Sequence, residues 1–193
     1  MSGKGKGSGF ERDICRQLSL WWSDGKDDDI FWRTASSGGR ATQRNKKGKK
    51  TFGQAGDVQA TNPIGQPLID VCAIELKRGY SKTSVFDIVD KPTKAKEQMY
   101  ETFFKQAIQS HKSAGSFSWM LITRRDRREA VVFIPLNLYK ELKLAKDTVI
   151  LFFPPYTKMT YKIKGLPLLQ IVVTPLKNFL RSVCPENIKD IVP

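Results

Sequence analysis

The sequence predicts an α/β fold, a mixed β-sheet flanked by helices, with a C-terminal α/β extension. Three observations predict it. Apolar residues step at helical spacing in two stretches, Phe10, Ile14, Leu18, Trp21 and Ala95, Met99, Phe103, Ala107. Short apolar runs bounded by turn residues lie between and after them and read as strands. The resulting order of helix, three strands, helix, two strands suits one mixed sheet packed between helices.

The elements follow in order. The lead-in MSGKGKGSG is basic and lacks the apolar stretch of a secretory leader. A first helix is expected at about 9–23, ended by Ser23-Asp24-Gly25, with Ser8 to Glu11 matching a capping box. After the turn Asp27-Asp28-Asp29, residues 30–33 read as a strand, and 34–56, rich in Ser, Gly, Lys and Arg, as a loop. Residues 58–60 and 68–76 read as a hairpin across Asn62-Pro63-Ile64-Gly65-Gln66-Pro67. A long helix follows Pro92 and closes at Gly115. Strands at 116–123 and 130–134 flank the basic turn Arg124-Arg125-Asp126-Arg127-Arg128. Beyond them come a short helix near 136–144, strands near 149–153 and 168–173, and a last helix opening at Thr174-Pro175 with Thr174 as N-cap. With no linker or repeat, residues 1–193 are expected to form one domain, its core at about 9–134 and the extension at 135–193.

Charge narrows the function. Lys and Arg number 33 against 19 acids, a net charge of +14, which points to a polyanionic partner, nucleic acid first. Residues 33–50 hold seven cations (Arg33, Arg40, Arg44, Lys46, Lys47, Lys49, Lys50) and no acid, a pattern for sequence-independent phosphate contacts. Trp32 and Phe52 flank this stretch, with the core as the expected place for both, like Trp21, Trp22 and Trp119. Cys15, Cys72 and Cys184 are few, odd in number and far apart, as reduced thiols are. His111 stands alone, read as a solvated surface residue, so a zinc site lacks ligands. No run of eighteen apolar residues could span a membrane, and a cytoplasmic location is expected.

The chemistry is carried by Glu75-Leu76-Lys77. On a strand, Glu75 and Lys77 leave on one face and Leu76 on the other. A carboxylate can hold a hard divalent cation, and an ammonium two residues on can orient water or balance phosphate charge. The spacing itself is cheap: acid-x-Lys occurs three times, against about two expected by chance. Asp24 to Lys26 lies in a turn and Glu141 to Lys143 on a predicted helix, so only Glu75 to Lys77 ends an apolar strand. Pairing across the expected hairpin would bring Asp57 close to Glu75, although an Asp after Gly is also a common turn residue. Glu11 falls on the apolar side of the first helix, as a cap or a third acid. Asp70, five residues before Glu75, falls on the opposite strand face.

Gly9-Phe10-Glu11, Arg33-Thr34-Ala35-Ser36-Ser37-Gly38, Gly56-Asp57 and Ile74-Glu75-Leu76-Lys77 together resemble the PD-(D/E)xK nuclease superfamily over about residues 5–134. Archaeal-type Holliday junction resolvases and their phage relatives are the most similar branch. The resemblance implies a restriction-endonuclease-like fold and a Mg²⁺ ion, replaceable by Mn²⁺, held by Glu11, Asp57, Glu75 and the Leu76 carbonyl. It implies that Lys77 positions or activates water and that Ser36 or Ser37 sits by the scissile phosphate. Arg33, Arg40, Arg44, Lys46, Lys47, Lys49, Lys50, Arg78, Arg124 and Arg125 would contact DNA, and the enzyme would be a homodimer needing no small-molecule cofactor. If phage-encoded, it would act in the host cytoplasm, near the nucleoid. Gly56 stands where the family has proline. The Gln-x-x-x-Tyr pattern of the exonuclease branch is missing from 94–112, where Thr102, Ser110 and Ser113 occupy the fourth positions after Gln98, Gln106 and Gln109. The alternatives are a non-catalytic DNA-binding module and a nuclease of the same fold acting on linear, nicked or flap DNA.

Overall fold

The computed structural model describes residues 3–34, 56–92, 94–144 and 157–191. Its first helix, α1 (Gly3–Trp22), starts earlier than expected, so Glu11 lies within the helix and not at the third position of a capping box. β1 (Phe31–Arg33) pairs antiparallel with β2 (Val58–Ala60), Trp32 opposite Gln59. Strand alternation sends Phe31 into the core and turns Trp32 outward, where it is 42% exposed, so the expectation of a core Trp32 fails.

The expected hairpin does not form. Asn62 caps a 3-10 turn (Pro63–Gly65), its side chain accepting from the Ile64 N–H, and Gln66–Val71 is a short helix, α2. Pro67 sits in the first turn of α2, where its missing N–H and fixed φ suit a helix start. β3 (Cys72–Arg78) begins only at Cys72. Asp70 is therefore a helix residue, accepting from Gln66 Nε2 at 2.8 Å, and not a strand residue facing away from Glu75.

β3 runs parallel to β4 (Ser118–Arg124), with Glu75 opposite Leu121 and Lys77 opposite Thr123. The crossover between them carries α3 (Met99–Ala114), which ends at Gly115 in the left-handed conformation as the sequence indicated. Among the described residues, β5 (Val131–Pro135), β6 (Thr157–Lys162) and β7 (Leu168–Pro175) complete a five-stranded sheet of order β3-β4-β5-β7-β6, antiparallel beyond β4. Residues past 135 thus add two strands to the same sheet, with β7 seated between β5 and β6. The expected strand at 149–153 lies outside the described residues, and β6 was not foreseen. α4 (Leu136–Leu144) falls where expected. β7 continues through Thr174 to Pro175, and Pro175, not Thr174, is the N-cap of α5 (Leu176–Ser182). α6 (Pro185–Lys189) follows.

The sheet divides the interior in two. Phe10, Ile14, Leu18 and Trp22 of α1 pack on the face that holds Ile74, Leu76, Ile122 and Val132. Tyr100, Phe103, Phe104 and Ala107 of α3 pack on the other face, with Trp119, Leu121, Phe133 and Ile171. Each buried Phe, Ile, Leu or Val side chain contributes about 1.5–3 kcal/mol by leaving water. Alternation along β3 therefore turns Ile74 and Leu76 toward α1, and Glu75 and Lys77 toward α3. Trp22 and Trp119 are buried, whereas Trp21 is half-buried and donates its indole N–H to the Val183 carbonyl at 2.9 Å. Cys15 and Cys72 are buried, Cys184 is exposed, and all three are free. Among the described residues no helix is long and apolar enough to cross a membrane.

Candidate active site

β3 lies at one edge of the sheet, and Asp57 docks onto that edge. Its backbone N–H donates to the Ile74 carbonyl at 2.7 Å, and its carboxylate Oδ2 accepts from the Leu76 N–H at 2.8 Å. Gly56 makes the approach possible. It has φ +86°, and a Cβ there would stand 2.7 Å from the Ile74 carbonyl oxygen. Proline, fixed near −65°, could not adopt this backbone, so the departure from the family's proline has a local cause. The N–H and C=O of one strand residue leave on the same side, so the Leu76 carbonyl also emerges on the side of Asp57.

On the α3 face of β3, Lys77 Nζ lies 2.8 Å from Glu75 Oε2 and 3.9 Å from Asp57 Oδ2. Ser110 of α3 donates to the other oxygen, Glu75 Oε1, at 2.6 Å. Asp57 and Glu75 are less than a tenth exposed. Burial first, then the neighbouring Glu75, push the Asp57 carboxyl up to about 7, against the pull of Lys77 and the Leu76 N–H. Burial opposes charge on Lys77, but Glu75 and Asp57 outweigh it and hold its pKa above the ordinary lysine value. The site is thus an ammonium shared by two carboxylates, a group able to donate to an anion or a water. Asp57 and Glu75 meet as the sequence suggested, but through edge docking and not through a hairpin.

Glu11 is near enough for its charge to help raise the Asp57 carboxyl, and it is also paired with a strand cation. Its Oε2 lies 3.3 Å from Arg33 Nη1, across from β1. Arg78 and Arg124 are register partners on the α1 side of the sheet. The Arg78 guanidinium lies 6.0 Å from the Phe10 ring, with its Nε buried and without a hydrogen-bond partner among the described residues, while Arg124 reaches Asp13 at 3.4 Å. Arg125 is half-buried in the following turn. Ser36, Ser37, Arg40, Arg44, Lys46, Lys47, Lys49, Lys50 and Phe52 lie outside the described residues. His111 is half-buried, with Nδ1 3.3 Å from Ser116 Oγ, and not a solvated surface residue. Ser110 escaped the sequence reading because one serine among several polar helix residues has no spacing that marks it. Only the packing of α3 on β3 does.

A family model described as "Phage putative PDDEXK endonuclease" matches residues 2–190. The chain belongs to this family. No curated protein and no solved structure matches it. PDDEXK endonucleases are metal-dependent enzymes that hydrolyse phosphodiester bonds, so DNA is the substrate class and the reading as a non-catalytic binding module is set aside. The mixed sheet flanked by helices agrees with the fold of this endonuclease superfamily. Among the described residues of the PDDEXK chain, no three His, Cys, Asp or Glu side chains are grouped as a ready-made metal cage. The donors at hand are two carboxylates and a main-chain carbonyl. All are oxygens, and Mg²⁺ is commonly held by one or two carboxylates with waters and a substrate phosphate completing its shell. The donor chemistry fits a hard divalent cation.

Proposed function

We propose that this PDDEXK endonuclease cuts branched or otherwise structured DNA with Mg²⁺, for which Mn²⁺ can substitute. The reading is carried by one observation: two buried carboxylates share one ammonium at the open edge of a sheet, in a chain of net charge +14. Asp57, Glu75 and the Leu76 carbonyl are the cation's donors, with Glu11 joining once Arg33 turns to phosphate. A cation bound there supplies Lewis-acid charge to a phosphodiester oxygen. Lys77 donates to the attacking water and offsets charge on the phosphorus oxygens. Ser36 or Ser37 sits at the scissile phosphate. Arg33, Arg78, Arg124, Arg125 and the cations from Arg40 to Lys50 hold the backbone without reading bases. Two copies, one per strand, act on a junction. The branched substrate rests on the resemblance of the Gly9-Phe10-Glu11, Gly56-Asp57 and Ile74-Glu75-Leu76-Lys77 set to junction resolvases.

The test compares a four-way junction with a linear duplex of matched sequence, in Mg²⁺ or EDTA, using the wild type, Glu75→Ala and Lys77→Ala. Junction cleavage that needs Mg²⁺ and both side chains is expected. Equal cutting of the linear duplex removes the junction preference, and unimpaired cutting by Glu75→Ala removes the site assignment.

A further inference from the structure

We propose that Ser110 is a positioning residue for the endonuclease, fixing the Glu75 carboxylate so that Oε2 alone faces the cation. This rests on the reading above, in which Glu75 is a cation ligand. The two oxygens of Glu75 are claimed from different elements. Oε1 accepts from Ser110 Oγ of α3 at 2.6 Å, and Oε2 accepts from Lys77 Nζ of the same strand at 2.8 Å. A glutamate's terminal torsion is broad and roughly two-fold, so a carboxylate held at one oxygen can still rotate. A second hydrogen bond from a fixed point stops that rotation. Ser110 is such a point: Phe103, Phe104 and Ala107 bury α3 against Trp119 and Leu121 of β4, the parallel neighbour of β3.

The hydroxyl is also unusually used. A helix serine commonly bonds back to the carbonyl one turn earlier, whereas Ser110 reaches across to the strand. Its helix neighbour Gln109 donates instead to Ser113 at 3.2 Å, and both are exposed. A hydrogen bond to a carboxylate is shorter and stronger than one between neutral groups, so the tie is worth keeping in a site where geometry decides turnover.

Outer residues that orient a metal ligand typically change metal affinity or activity by about 10–100-fold when removed. The experiment is Mn²⁺ titration by calorimetry in the absence of DNA, with DNA cleavage alongside, for the wild type, Glu75→Ala, Ser110→Ala, Ser110→Thr and Ser110→Val. Ser110→Ala and Ser110→Val are expected to weaken Mn²⁺ binding by about 10–100-fold, with Ser110→Thr close to the wild type. Thr and Val have nearly the same shape, so this pair decides the matter even if Ser110→Ala folds poorly. If Glu75→Ala loses Mn²⁺ binding while Ser110→Ala and Ser110→Val keep it, the positioning role is overturned and the ligand assignment stands. If Thr and Val weaken binding equally, packing and not the hydroxyl is responsible, which also overturns it. If Glu75→Ala binds Mn²⁺ like the wild type, the ligand assignment fails and takes this inference with it.

Discussion

Gly56→Ala tests the close approach that seats Asp57 on β3. Two costs can be worked from the structure. A residue with a Cβ in the left-handed region costs about 1–2 kcal/mol relative to glycine. The added Cβ would meet the Ile74 carbonyl oxygen at 2.7 Å and its nitrogen at 3.1 Å, both backbone atoms that cannot swing aside. Either the overpacking is endured, at about 1–3 kcal/mol, or Asp57 lifts off and loses its bonds to Ile74 and Leu76. Stiffening the unfolded chain returns about 0.4–1 kcal/mol. The net expectation is a loss of about 3 kcal/mol. Gly25→Ala is the control: Gly25 has φ +80°, but nothing lies within 4 Å of a Cβ there. It should lose only about 1 kcal/mol. Urea unfolding of both variants in EDTA measures the difference, and DNA cleavage reports whether Asp57 stays in place. Equal destabilisation by the two substitutions, with cleavage intact in both, would refute the argument that Gly56 is there to admit Asp57.

Three further outcomes are expected. The folded-state pKa of Asp57 is raised from 3.8 to about 7, so the folded chain binds the extra proton between those values and stability in EDTA falls as pH rises from about 4 to 7. Asp57→Asn should flatten this slope, read by urea unfolding at pH 5 and 8, and an unchanged slope would contradict it. Lys77→Met leaves Asp57 and Glu75 facing each other without their cation. Breaking a largely buried ion pair costs about 3–5 kcal/mol, and Mg²⁺ should then raise the melting temperature of the variant more than that of the wild type. Equal Mg²⁺ shifts would count against a shared place for ammonium and metal. Finally, burial pushes the Cys15 and Cys72 thiols up to about 12, while Cys184 is exposed. A thiol reagent should therefore label one cysteine in the native chain and three in denaturant, and fast native labelling of more than one would show that these cores open.

Periodic elements were the legible ones. α3 carries apolar residues four apart, although Ala95 of that series precedes the helix, which starts at Met99; α4 lies where the sequence places it, and β4 and β5 are apolar runs on either side of a basic turn. Residues 68–71 read as strand because an apolar run of that length fits a strand and a helix equally, and Pro67 in the first turn is the feature that marks the helix. β6 is hard to see in the sequence because Lys158, Thr160 and Lys162 mask the alternation of Met159 and Tyr161 on a half-covered edge strand. Gly3, Gly5, Gly7 and Gly9 have poor helix propensity, yet α1 includes them. At the site, Glu75 and Lys77 were legible because strand parity fixes their common face. The way Asp57 reaches them was not, since edge docking through a glycine leaves no periodic trace.

The position of Asp57 also bears on how the chain avoids its own kind. An edge strand offers rows of free N–H and C=O groups on which a strand of another molecule can grow, and an apolar strand such as Ala73-Ile74-Glu75-Leu76 would be an inviting template for fibrils. Asp57 occupies the Ile74 carbonyl with its backbone and the Leu76 N–H with its side chain, then carries a group no incoming strand could lie against. Asp57→Ala would therefore bare part of an aggregation-prone edge as well as remove a carboxylate, whereas Asp57→Asn, which can still accept from Leu76, should keep that edge covered.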